Sequence, residues 1–124
     1  MHVHVVEDRG WTVVIVRGVV DVASAPELLQ TLQEVQFGGS GRILVDLDQV
    51  ELLDSYGIGV LVDAHKRARS HDSRLVVLVT RERLRHVLER AGLDAMLQLV
   101  AEADEVLAPG DPSTPADTDD GADR

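Results

Sequence analysis

Cysteine is absent from the 124 residues. That excludes a disulfide framework, thiolate metal sites and cysteine nucleophiles. Aromatic residues are scarce, and Trp11, Phe37 and Tyr56 are the whole set. A core must therefore be packed from Val, Leu, Ile and Ala. No apolar stretch approaches the length of a membrane span. The start of the chain, Met1-His2-Val3-His4-Val5-Val6-Glu7, has neither the basic opening nor the continuous apolar run of a signal peptide. A soluble cytoplasmic protein is expected by elimination. Positive charge is also short, at a formal net charge of −10. Such a field repels phosphate backbones and anionic lipid, so neither nucleic acid nor a membrane surface is expected as a partner.

What is present is aliphatic. Hydrophobic residues make up 44% of the chain, enough for one core and hence one domain, expected over 1–108. Residues 109–124 carry Asp111, Asp117, Asp119, Asp120 and Asp123 against Arg124 alone, a net −4 that leaves the body at −6. This stretch, rich in Asp, Pro, Ser, Thr and Gly, is expected to form a disordered acidic tail.

The pattern along the body alternates strands with amphipathic helices. Residues 2–6 and 11–17 read as strands joined by the turn Asp8-Arg9-Gly10, an antiparallel hairpin. Ser24 and Glu27 have capping-box spacing with Pro26 in the first turn, and Leu28, Leu29, Leu32 and Val35 recur at helical intervals up to Phe37-Gly38-Gly39-Ser40-Gly41. Residues 42–47 form a mostly apolar strand, 48–54 a loop, and 55–69 a helix with Ile58, Leu61, Val62, His65 and Ala68 on one face. The most hydrophobic run, Leu75-Val76-Val77-Leu78-Val79, is expected at the sheet centre. A third helix spans 81–91 with Leu84, Val87 and Leu88 inward and Gly92 as its stop. Residues 96–100 suit an edge strand and 102–107 a terminal helical turn. The expected fold is α/β in the order ββαβαβαβα: a mostly parallel sheet of about five strands with helices stacked by right-handed crossovers.

The informative segment runs from Val45 to Val62. A buried strand leads through a loop into a helix that opens Asp54-Ser55-Tyr56-Gly57-Ile58-Gly59. Asp54 or Ser55 can cap it. Gly57 and Gly59 each cost about 1 kcal/mol against Ala within a helix, which suggests that something approaches the backbone closely there. A helix N-terminus also favours negative charge, so an attached phosphate would be well placed.

This segment resembles the anti-sigma factor antagonists, built on the STAS domain shared with sulphate transporters. Their hallmark is a strand ending in Asp-Leu, then Asp-Ser-Ser/Thr-Gly-x-Gly at a helix start. Asp46-Leu47 and Asp54 to Gly59 follow it. A second signature, Gly-x-x-Asp-x-x-x-Ala-x-x-Leu, is similar to Gly18 through Asp21 and Ala25 to Leu28. The resemblance covers about residues 1–108 and implies a STAS-like fold and a partner switch. The expected partner is an anti-sigma factor serine kinase of the histidine-kinase-like fold, bound through Asp21, Asp54, Ser55, Tyr56, Gly57 and Ile58. Binding releases the sigma factor, and phosphorylation at the helix start ends it. The free protein is expected to be a monomer, without a cofactor of its own and without enzymatic activity. In the family the phosphoacceptor is the hydroxyl residue directly before the glycine, where this chain has Tyr56. Three readings follow: an antagonist that cannot be switched off, modification moved to Ser55, or a different partner. Loss of the usual switch is favoured. The alternative function is a STAS subunit of another complex, such as a lipid-transport assembly or a stress-signalling scaffold.

Other residues carry plainer readings beside functional ones. Ser55 can be a helix cap, Tyr56 can cover apolar surface, and Asp21 can be a turn residue ahead of Ser24. His2 and His4 share a strand face but lack a third metal ligand. His65 reads as a partly buried helix residue. Arg81, Arg83, Arg85 and Arg90 form a basic stripe, either a solvated face or a charge-guided contact. Asp46, Asp48 and Asp54 cluster near a strand end, where α/β enzymes often hold Mg²⁺. There Asp48 is expected to face solvent, while the family pattern accounts for the other two. The chain has neither a P-loop nor a Gly-x-Gly-x-x-Gly after a strand.

Overall fold

A computed structural model describes residues 1–107. The acidic segment expected over 109–124 lies outside the described residues. Strands β1 (His2–Asp8) and β2 (Trp11–Val20) form a hairpin, and Arg9 and Gly10 both take positive φ at its two-residue turn, as the twist of a tight hairpin demands. Then follow α1 (Ala25–Phe37), β3 (Arg42–Leu53), α2 (Ser55–Ser70), β4 (Arg74–Leu78) and α3 (Glu82–Arg90). A single 3₁₀ turn (Leu93–Ala95), β5 (Gln98–Val100) and α4 (Asp104–Leu107) complete the order. The five strands lie in sequence order in one mixed sheet; β1 is antiparallel to β2 and every other pair is parallel. This is the α/β arrangement expected from the sequence.

Several details differ from expectation. The central strand is β3, flanked by β2 and β4; the more hydrophobic β4 sits one place toward the edge. Residues 48–53 are strand, not loop, because β2 also runs on to Val20 and pairs with them. Between the Ile15–Asp46 and Val20–Leu53 pairs, β3 takes two more residues than β2, so the register shifts twice. Each shift breaks the period-two alternation, which is why this stretch does not read as a strand. The final strand is also shorter than expected, with Met96 exposed ahead of it.

The capping box at α1 does not form. The Ser24 side chain makes no cap bond; its hydroxyl accepts from the Asp21 amide at 3.0 Å and donates to the Val19 carbonyl at 2.9 Å. In α3, Leu84 and Leu88 are buried, but Val87 points outward at 38% exposed.

Packing forms two layers. On one face of the sheet, Val14, Val16, Ile43, Val45, Leu47 and Val77 meet Leu28 and Leu32 of α1, Leu61 and Ala64 of α2, and Leu84 and Leu88 of α3. On the other, Trp11, Val13, Leu44, Val76 and Leu78 are covered by Val106 and Leu107 of α4. Trp11 is 1% exposed, with the Arg74 guanidinium 5.3 Å above its ring, a contact that adds cation–π attraction to burial. No helix among the described residues is long and apolar enough to cross a membrane.

Leu32 is fully buried in the layer that excludes Trp11, so the lone tryptophan reports unfolding without being repacked itself. Leu32→Ala is expected to lower stability by about 2–5 kcal/mol. Urea unfolding followed by Trp11 fluorescence checks this, and a loss under about 1 kcal/mol would show that the aliphatic layer collapses around the gap.

Candidate partner-binding site

The expected site lies where β2 and β3 end and α2 begins. The Asp54 amide donates to the Val20 carbonyl at 3.1 Å, fastening the start of α2 to the end of β2. Its backbone is extended (φ −93°, ψ −173°), and its carboxylate accepts from the Tyr56 and Gly57 amides at 2.9 and 3.2 Å. Asp54, and not Ser55, is therefore the cap, satisfying two amides that the helix itself cannot. Ser55 and Tyr56 are left exposed on the first turn, and Ile58 is half-buried behind them.

The two glycines have different reasons. A Cβ on Gly57 would stand 2.8 Å from Val20 Cγ1, and closer still to Leu53 Cδ1. What approaches that backbone is the protein's own core. A Cβ on Gly59 would meet no heavy atom within 4 Å, so that face of the helix is open.

Across the site, Asp21 folds its turn on itself. Its carboxylate accepts from the Ala23 and Ser24 amides at 3.0 and 3.1 Å. Chiefly the Ser24 amide, helped by the Ser24 hydroxyl and the Ala23 amide, holds this carboxyl below the usual carboxylate range. The plain reading of Asp21 as a turn residue thus has a geometric basis. Beside it Val22, 58% exposed, faces a groove of about 290 Å³ shared with Ala25, Pro26, Leu29, Tyr56 and Val60. Tyr56 is equally exposed at 58%. Exposed apolar side chains gathered in one place mark an interaction surface. Sequence reasoning missed Val22. The available signal for Val22 was a β-branched residue inside a turn.

The three carboxylates of the strand end do not converge. Asp46 accepts from the Asp48 amide at 2.9 Å, and burial, with the Asp48 charge adding to it, pushes its carboxyl up against that bond. Asp48, expected to face solvent, is half-buried; its carboxylate accepts from the Thr80 amide at 3.0 Å in an exposed bond that ties the segment after β4 to β3. No group of three His, Asp or Glu side chains among the described residues is placed to hold a metal. His65 is half-buried, and burial lowers its pKa. A larger open cleft of about 640 Å³ lies at the other end of the sheet, around Thr12, Ser40 and Arg42, away from the Asp21 turn and the Asp54–Gly59 helix start.

Comparison with known proteins decides the family. The model described as "Mlab, STAS domain" matches residues 3–110. The chain belongs to the STAS domain family. An anti-sigma-B factor antagonist of Staphylococcus aureus is 33% identical over 91 residues, spanning 73% of this chain and 83% of that protein. The Listeria monocytogenes anti-sigma-B factor antagonist is 31% identical over 86 residues, 69% and 75% of the two chains. Among solved structures, an anti-sigma factor antagonist from Mycobacterium paratuberculosis superposes with a TM-score of 0.79 at 26% identity, covering 84% of this chain and 88% of that one. Unphosphorylated SpoIIAA, at 15% identity and a TM-score of 0.66 over 84% and 92% of the two chains, shares the fold.

Within this STAS domain the residues expected from the sequence fall into one neighbourhood with divided tasks. Asp54 and Gly57 build the helix start, Asp21 closes the facing turn, Ile58 is half-buried, and Ser55 and Tyr56 present side chains outward. The glycine pair separates these tasks experimentally. Gly57→Ala gains about 1 kcal/mol of helix propensity but overpacks against Val20 and Leu53 at about 1–3 kcal/mol; net destabilisation is expected. Gly59→Ala meets open space and should stabilise by up to about 1 kcal/mol. Thermal melts of the two variants check this, and a stabilised Gly57→Ala would show that the contact with Val20 relaxes freely.

Proposed function

We propose that this STAS domain is an anti-sigma factor antagonist that works by binding and not by turnover. It binds a kinase-type anti-sigma factor of the histidine-kinase-like fold through the Asp21 turn and residues Asp54 to Ile58, and so frees a sigma factor. Any ATP belongs to the partner. The observation that carries this reading is the 31–33% identity to anti-sigma-B factor antagonists over most of their length. The exposed Ser55–Tyr56 pair on the first turn of α2, beside an apolar groove, supports it.

Tyr56 takes the place that a small hydroxyl residue holds in the antagonist motif. Its phenol oxygen lies well beyond the reach of a serine hydroxyl, so a serine kinase does not meet it in the same geometry. Ser55 precedes it by one residue, about 100° around the helix axis, and faces a different direction. The usual off-switch, a phosphate adding about −1.5 to −2 charge to the interface, is thereby lost and the antagonist stays active. The same substitution favours a second reading, a STAS subunit of a lipid-transport or stress-signalling assembly, in which no phosphoacceptor is needed.

Calorimetry of the full chain with a purified kinase-type anti-sigma factor from the same organism, with ADP present, tests the proposal. Binding of about micromolar affinity or tighter is expected, weakened at least about tenfold by Tyr56→Glu, which brings charge into the apolar surface. Absence of binding to every such kinase, with transporter ATPase subunits bound instead, would assign the second reading.

A further inference from the structure

The basic helix α3 is not used by the site above. Residues 81–90 carry Arg81, Arg83, Arg85 and Arg90 against Glu82 and Glu89, a net +2 within a body of net −6. No arginine of residues 81–90 forms an ion pair among the described residues. Arg81 is instead anchored by donating to the Val50 carbonyl at 3.3 Å, which stands its guanidinium beside the end of β3. Between them runs a groove of about 190 Å³ with Leu84 in its lining. Leu52, 52% exposed, and Val87, 38% exposed, line it as well, together with Arg81, Arg83 and Glu51. An apolar slot rimmed by Arg81, Arg83 and Glu51, whose arginines form no ion pair among the described residues of an otherwise acidic protein, is a patterned surface and not a generally solvated face.

We propose that this groove between β3 and α3 docks an acidic amphipathic helix of a partner protein. A leucine-sized side chain of that helix enters between Leu52 and Val87, and flanking carboxylates meet Arg81 and Arg83. Arginine suits this task because its planar fork pairs with carboxylates in two bonds. The acidic stretch of this chain, 109–124, cannot be the occupant: it has no Val, Leu, Ile, Met or aromatic residue to fill the slot. A nucleic acid would meet the arginines but offers no aliphatic anchor, and a long polyanion is repelled by the rest of the surface. The proposal stands whether or not the partner at α2 is an anti-sigma factor.

The test titrates the isotope-labelled full chain with a synthetic helical peptide bearing leucines at i, i+3, i+4 and i+7 flanked by glutamates. A matched lysine-flanked peptide and a single-stranded oligonucleotide serve as the other arms. Saturable NMR shifts confined to 50–53 and 81–90 are expected with the glutamate peptide alone. Arg83→Glu should weaken binding at least about tenfold, and Leu52→Ser should do the same; both positions are exposed, so folding is spared. Arg81 is left intact because it also holds Val50. Tyr56→Glu should leave the peptide affinity unchanged, which separates this surface from the one at α2. No binding, equal binding of the lysine peptide, binding of the oligonucleotide by the same arginines, or shifts centred on Val22 and Tyr56 would each overturn the proposal.

Discussion

Where α2 begins, its backbone lies against Val20 and Leu53 with no room for a side chain at Gly57, and the rest of the site depends on that contact. It sets the height of the helix over the sheet. From there the Asp54 amide reaches the Val20 carbonyl, the Asp54 carboxylate turns back to the Tyr56 and Gly57 amides, and Ser55 and Tyr56 are forced outward. Val20 and Leu53 are in place because β3 takes two more residues than β2 over their shared length. Two register shifts, one glycine and one aspartate thus turn a buried strand end into a presented helix start.

Much of this was legible in the residues. Strand and helix order followed from periodicity, since the core is almost wholly aliphatic and most elements space their Val and Leu at the strand or helix period. The motif Asp54 to Gly59 marked the site for the same reason that it builds it: an acidic cap and a glycine are what this close approach requires. What was not legible depends on tertiary contact. Residues 48–53 alternate imperfectly, so only pairing with β2 makes them strand. Ser24 had the spacing of a cap, but its hydroxyl is taken by the Asp21 amide and the Val19 carbonyl, both before the helix. Asp48 looked like a surface residue because the amide it holds, that of Thr80, is 32 positions away. Composition ranked β4 as the centre, whereas connectivity gives that place to β3.

The surface around the helix start is unusual for so acidic a chain. Val22 adds exposed apolar area to that of Tyr56 there, which the motif alone did not point to. A phosphorylatable hydroxyl at the Tyr56 position could be reversibly charged; a tyrosine there instead adds permanent contact area, with its ring beside Val60 and Pro26 in the groove. Tyrosine is well suited to binding, since it covers much surface for little loss of side-chain freedom. Under the proposed function this position exchanges regulation for affinity, while Asp54 and Gly57, which position the helix start, keep their tasks.

The most direct measurement of this exchange is phosphotransfer. The full chain and its Tyr56→Ser variant are each incubated with the kinase-type anti-sigma factor and ATP, and their intact masses are recorded. The variant is expected to gain one phosphoryl group while the natural chain gains none. A phosphoryl group on the natural chain, mapped to Ser55 or Tyr56, would contradict the claim that this antagonist has lost its switch.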